Sequence, residues 1–413
     1  MSLLIKNIKA LTGIHPKGKL LLKGSELNEF PSIENAYLLT EGDRIKSFGK
    51  MEDISSENIQ NDAQVIDCKG KFVLPSFCDS HTHLVFATTR ESEFVDKING
   101  FTYEQIAANG GGILNSAKKI AAADEEELIE GALKRIQEVQ LQGTGAIEIK
   151  SGYGLSIEAE LKMLRVIQKL KILSPLAIKS TYLGAHAIPL EFKNNRNEYI
   201  RIIIEEMMPR IADEGLADYC DVFCENGFYT PEETDKILQA GLKYNLKPKI
   251  HANQLSISGG VQAGVRNNAI SVDHLENIGD AEISVLKNSN TIATMLPSAA
   301  FFLRLPYPPA RKMIEENLTI ALATDFNPGS SPSGRMSFVI SLACIQMKMT
   351  PEEAINASTL NGAAAMELSD NLGSIAVGKK ANLIITKEIS SIANIPYFFG
   401  SDCIDSVIIN GKK

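Results

Sequence analysis

The sequence predicts an α/β protein: a (β/α)8 TIM-like barrel with a small β-sandwich domain built from both termini. Three observations carry that prediction. Between residues 72 and 368, short apolar segments alternate with helical patterns, the signature of βα units around a parallel sheet. The chain has 413 residues, too many for one ordinary core but enough for a barrel of about 250 residues with an added module. Strand-like runs crowd the two ends, 1–71 and 369–413, and the simplest arrangement pairs them as one unit with the barrel inserted between.

In the N-terminal part, runs at 36–39 and 44–48 flank Glu41-Gly42-Asp43, a hairpin-like connection, and 64–67 is a further short strand. The first barrel strand is the apolar run that starts at Val73 and ends in His81-Thr82-His83. A long excursion over 84–115 follows. Its Asn109-Gly110-Gly111-Gly112 lacks the spacing and the strand-turn-helix context of a dinucleotide cradle, and reads as a mobile loop. Ile129, Ala132, Leu133 and Ile136 then mark an apolar helix face. Seven more strands are expected at 145–150, 178–183, 219–225, 248–252, 271–275, 291–296 and 319–324, separated by helical patterns such as Met163, Val166, Ile167 and Leu170. Thr230-Pro231-Glu232-Glu233 and Thr350-Pro351-Glu352-Glu353 read as helix starts, with a Thr cap, Pro first and Glu third. Gly373-Ser374-Ile375, 381–386 and 404–409 return to strand patterns.

Composition narrows the function. A net charge of -8 leaves no basic stripe, which argues against nucleic acid or an anionic membrane as partner and leaves a small-molecule substrate. Lys6 and Lys9 interrupt the N-terminus, which lacks a signal-peptide core, and no apolar run reaches membrane-spanning length. Six scattered cysteines form no disulfide framework, so a reduced, cytoplasmic setting is expected. Cys220 and Cys224 fall on one expected strand, where i and i+4 lie about 13 Å apart, too far to chelate together.

In barrels of this kind chemistry collects at the C-terminal strand ends. His81 and His83, spaced i, i+2, point to one face there. Strand three runs into His186, strand five carries His251, strand six His274, and strand eight ends in Asp325. Five of the six histidines thus converge on one mouth, and the sixth, His15, is expected on the surface of the N-terminal module. Three neutral imidazoles and one carboxylate suit a divalent ion with room for a water, whose pKa can then fall to ~7. A histidine beside that water, His274, would serve as base or electrophile.

The stretches Asp79-Ser80-His81-Thr82-His83, Ile149-Lys150-Ser151-Gly152-Tyr153-Gly154, Gly184-Ala185-His186, His251-Ala252-Asn253-Gln254, Asp273-His274-Leu275 and Asp325-Phe326-Asn327-Pro328-Gly329-Ser330 are together highly specific. Through them nearly the whole chain resembles the amidohydrolase superfamily, and within it the branch that hydrolyses a cyclic amide of histidine degradation. The resemblance implies His81, His83, His251 and Asp325 as ligands of one Zn(2+) or Fe(3+) per subunit. It implies Arg90, Tyr153, His186, Gln254, Asn327, Gly329 and Ser330 as substrate-binding residues; proton handling then falls to His274 or Asp325, and His186 or His274 is expected to stabilise the oxyanion with the metal. A homodimer is the expected assembly. The substrate of that branch carries a propionate, which the planar fork of Arg90 suits. Two-metal relatives bridge their ions with a carboxylated lysine at the end of strand four; here the strand ends Cys224-Glu225, so one metal is expected. Deaminases of the superfamily place a glutamate where this chain has Gln254, which cannot titrate. Lys150 is expected as a structural or substrate-side charge, and Tyr153 on a flexible loop between glycines.

Overall fold

The computed structural model describes residues 2–54, 63–101, 105 and 111–413. Most of the glycine-rich run before Gly111 lies outside them, and with it the expected mobile loop. The chain opens with β1 (Ser2–Thr12), β2 (Ser32–Glu41), β3 (Arg44–Lys50), β4 (Gln64–Asp67) and β5 (Lys71–Pro75). β2 and β3 form the expected hairpin, with Glu41 opposite Arg44 and Gly42 at φ +62° in the turn. β1 runs antiparallel to β2, and a bulge between Ile5 and Ile8, where Asn7 has φ +55°, bends it. On its other edge the first half of β1 pairs with β4 and the second half with β5.

Beyond Ser76 the chain enters the barrel. Its strands are β6 (Phe77–Thr82), β7 (Thr144–Lys150), β8 (Ala177–Ala185), β9 (Tyr219–Cys224), the short pair β10 (Lys247–Pro248) and β11 (Ile250–Ala252), β12 (Ser271–His274), β13 (Ile292–Met295) and β14 (Ile320–Leu322). They pair in parallel in chain order, with β10 and β11 together as the fifth position. All eight expected strands are present, but the first starts at Phe77 and not at Val73, because Lys71–Pro75 pairs with β1 in the other sheet and Val73 is buried in its core. The ring closes where the segment after β14 meets β6: Asp325 N–H donates to His81 O at 3.0 Å and His83 N–H to Phe326 O at 2.9 Å. Asp79 reinforces that seam by accepting from Thr324 N–H (3.0 Å) and Oγ1 (2.6 Å). Closure therefore uses the residues that flank the histidine pair.

The helices cover the barrel as their periodicity dictates. Helix Glu125–Leu141 buries Leu128, Ala132, Ile136 and Val139, while Ile129 and Leu133 lie half-buried on its flank. Helix Ile157–Leu173 buries Met163, Val166, Ile167 and Leu170. At Pro231–Lys243 and Pro351–Ser358 the expected caps form: each Thr hydroxyl accepts from the Glu N–H three residues on, and each Glu carboxylate accepts from the Thr N–H.

The chain ends in β15 (Leu383–Glu388) and β16 (Ile404–Ile408), which extend the N-terminal sheet through β5. This seven-strand sheet, in the order β16-β15-β5-β1-β2-β3 with β4 on β1, forms the small domain around Leu3, Ile5, Ile8, Leu38, Val73, Leu383 and Ile408. Two further expectations need correction. Gly373-Ser374-Ile375 supplies only an isolated bridge, Ile375 to Ile14. His15 is buried, its Nε2 at 3.3 Å from Asn356 Oδ1, because the segment after β1 turns inward against a barrel helix.

Candidate active site

At the C-terminal mouth the predicted donors meet. His81 and His83 leave β6 on one face with ring centroids 5.4 Å apart, and His251 from β11 lies 4.5 Å from the ring of His81. His83 Nε2 and His251 Nε2 are 3.4 Å apart, and Asp325 Oδ1 is 3.6 Å from the Nε2 atoms of both His81 and His83. These spacings match the roughly 3.4 Å edge of a tetrahedron with bonds of ~2.1 Å. His81 Nε2 is fully buried and has no hydrogen-bond partner, which suits a metal ligand aimed at an ion. Ligand atoms of His81, His83 and Asp325 lie within 4.8 Å of one another, as do those of His81, His251 and His274. The residues present therefore fit one ion.

The tautomer of His81 fits as well: its Nδ1–H donates to Asp273 Oδ2 at 2.7 Å, so its Nε2 lone pair remains bare, while His251 Nδ1 lies 3.0 Å from Asp221 Oδ2. Burial, reinforced by neighbouring positive groups, holds His81 and His83 well below the ordinary imidazole pKa and keeps them in the neutral, ligating form. Burial raises the Asp325 pKa despite His274 and His251 nearby. For His274 burial works against charge, but Glu276 at 3.3 Å, with Asp325 and Asp273, outweighs it and raises the pKa. The strand-end backbone is bent to present these groups: His274 has φ +90° and Asp325 φ +55°.

Beneath the donors runs a fully buried charge chain. Lys150 Nζ lies 2.6 Å from Glu148 Oε1, 2.8 Å from Asp221 Oδ2 and 3.6 Å from Asp273 Oδ2. Lys249 pairs with the other oxygen of Glu148. Burial alone would neutralise Lys150, yet the three carboxylates outweigh it and hold the ammonium protonated. Burial likewise opposes charge on Asp221, but His251 and Lys150 keep it well below the usual carboxylate range. Of the two roles expected for Lys150, the structure places it in the structural one: it ties together the carboxylates that orient His81 and His251.

Above the donors opens a cavity of about 510 Å³. Its lining includes His83, Arg90, Tyr153, His186, Gln254, His274, Asp325, Asn327, Gly329 and Ser330, so every site residue named from sequence reaches it except His81, which lies in the donor cluster at its floor. Tyr153 sits on a pinned loop and not a flexible one: the N–H groups of Gly152, Gly154 and Leu155 all donate to buried Glu160, at 2.6–3.2 Å. His186 Nδ1–H donates to Gly152 O at 2.9 Å, its ring stacks on His83, and burial pushes its pKa down to about 3. Asn327 is internally committed, its Oδ1 accepting from Gly329 and Ser330 N–H at 2.8 Å each. Arg90 donates from Nε to Glu93 Oε2 at 2.9 Å, and Gly329 packs so close that a Cβ there would fall 2.2 Å from Arg90 Nη1.

Sequence reasoning missed Glu160, Asp221, Glu276, Lys97 and the apolar wall of Phe223, Phe228, Leu303 and Leu305. Asp221 was within reach, since at i+2 from Tyr219 and i−2 from Phe223 it shares their face of an expected strand. Lys97 and Glu160 lie on helices seven and nine residues beyond Arg90 and Ser151, where no motif marks them.

The chain belongs to the amidohydrolase family, whose model matches residues 72–413. Within it, the chain groups with the imidazolonepropionases. It is 56% identical over 412 residues to the imidazolonepropionase of Flavobacterium johnsoniae and 55% identical to that of Christiangramia forsetii, with all of each chain covered. To that of a Geobacillus species it is 40% identical, over 99% of this chain and 97% of the relative. The solved guanine deaminase of E. coli superimposes with a TM-score of 0.73 at 14% identity, over 100% of this chain and 98% of that one, a likeness of fold.

Proposed function

We propose that this chain hydrolyses 4-imidazolone-5-propanoate to N-formimidoyl-L-glutamate, with one Zn(2+) or Fe(3+) held by His81, His83, His251 and Asp325. The observation that carries this reading is that one cavity of about 510 Å³ is lined both by the clustered donors His83, His251 and Asp325 and by Arg90. An ion bound there supplies Lewis acidity to the ring carbonyl and lowers the pKa of water to ~7.

The chain's own residues do the rest. His274, its Nδ1 held by Glu276, takes a proton from the attacking water at Nε2 as the oxygen adds to the ring carbonyl carbon. The ring C–N bond then breaks, and the proton returns from His274 to the departing nitrogen. Asp325, with Oδ1 toward the histidines and Oδ2 accepting from Ser330 Oγ at 3.2 Å, takes the remaining proton of the added water as the product carboxylate forms and passes it to solvent. His186 is better suited to binding than to holding an oxyanion. With Nδ1–H committed to Gly152 and a pKa near 3, its Nε2 accepts, which favours a ring N–H. Gln254 and Tyr153 complete the ring contacts, and Arg90 faces the propionate. Ser330 and the backbone at Gly329 shape that end, with Asn327 holding their loop.

The test is the absorbance of freshly generated imidazolone propionate mixed with metal-loaded protein and with a metal-loaded His274→Asn variant. Rapid decay to formimidoylglutamate is expected for the wild type, with loss of at least about a hundredfold in the variant. A metal-loaded wild type that leaves the absorbance unchanged contradicts the proposal.

A further inference from the structure

Resting on the hydrolase reading above, we propose that Lys97 supplies the charge that selects the substrate's carboxylate, with Arg90 fixing its orientation. Arg90 and Lys97 stand seven residues apart, at the start and in the last turn of helix Glu91–Ile98, and so share one face. Both line the cavity. Their electrostatic positions differ. Arg90 is already paired: Nε and Nη2 both engage Glu93 Oε2, and the ion pair is nearly buried. Glu93 is used up as well, because its Oε1 accepts from Gly112 N–H at 2.9 Å.

Lys97 has no such partner. Among the described residues no carboxylate lies within ion-pair distance of its ammonium, although Glu93 sits one helical turn away. Its polar contact is a neutral one, Gly329 O at 3.3 Å, and its Nζ lies 5.8 Å from the centre of the Phe302 ring. Among the described residues the three charges at this end of the cavity, Arg90, Glu93 and Lys97, therefore sum to one positive charge, and Lys97 carries it. A single carboxylate balances that sum. Burial and the neighbouring Arg90 lower the Lys97 pKa, the direction expected of a cation awaiting a counter-charge. Division of labour follows from chemistry: the guanidinium offers its remaining Nη1 edge in fixed geometry, and the ammonium adds an adaptable point charge.

The experiment compares wild type, Lys97→Met and Lys97→Arg on two pairs of compounds. The first pair is imidazolone propionate and its propanamide, read as kcat and KM. The second is imidazole propionate and imidazole propanamide, which have no ring carbonyl to hydrolyse, read as Kd by calorimetry on the metal-loaded protein. Methionine keeps the stem and its packing. In Lys97→Met, KM and Kd for the acids should rise about ten- to a hundredfold, the worth of a charge-assisted hydrogen bond, with kcat and both amides little changed. Lys97→Arg should retain the preference for acid over amide. An unchanged preference in Lys97→Met overturns the inference. Failure of the wild type to turn over imidazolone propionate overturns the hydrolase reading, while the Kd pair still decides whether Lys97 recognises carboxylate.

Discussion

His81 keeps Nε2 bare because Asp273 occupies Nδ1, and Asp273 holds its own orientation through Ser271 Oγ at 2.5 Å. The imidazole therefore presents a lone pair and not a proton to the site, a state that sequence spacing alone does not settle. Asp273→Asn removes the acceptor charge and allows the ring to flip its tautomer. It should weaken metal affinity by about ten- to a hundredfold, measured by competition with a chelator, while the protein stays folded. Undiminished affinity would mean that His81 is oriented by packing alone. At this scale the convergence of His81, His83 and His251 was legible, because i, i+2 histidines on a strand have one geometric consequence. Glu276 was not, because its contact with His274 depends on the backbone bend at His274 and Leu275, φ +90° and +70°, which no local pattern marks.

Strand β7 carries the buried alternation that supports the mouth: Glu148 and Lys150 both point into the barrel, and Lys249 joins them from the segment before β11. Removing one partner from a buried ion pair leaves charge uncompensated, so Lys150→Met should destabilise the metal-free protein by about 3–5 kcal/mol, read from urea unfolding. A change below 1 kcal/mol would show that water or proton uptake relieves Asp221 and Asp273. The same strand leads into the loop where Glu160 gathers three backbone N–H groups and so presents Tyr153. Glycines on either side of Tyr153 signal freedom in sequence. The restraint comes from a helix that follows, beyond the reach of local pattern. Helix caps were legible for the opposite reason: Thr230 and Thr350 find their partners three residues away.

Across the whole molecule, alternation of strand and helix was enough to predict eight barrel strands, and the seam at Asp79, His81 and Thr324 shows why the ring closes where the ligands lie. Pairing of the two termini was legible as a matching of strand patterns. Its detail was not, since the bend at Asn7 rests on partners some tens of residues away, such as Asp67, and the inward turn that buries His15 rests on Asn356, far along the chain. One barrel mouth, four clustered donors and no lysine at Cys224-Glu225 are the basis of the proposal that the site takes a single ion. Metal-stripped protein titrated with zinc or iron, with bound metal and turnover of imidazolone propionate followed together, tests this most directly. Turnover should rise in proportion to bound metal and level off at one ion per subunit, and His81→Ala should neither retain the ion nor gain activity. Turnover that needs a second ion, or full activity in the stripped protein, would contradict it.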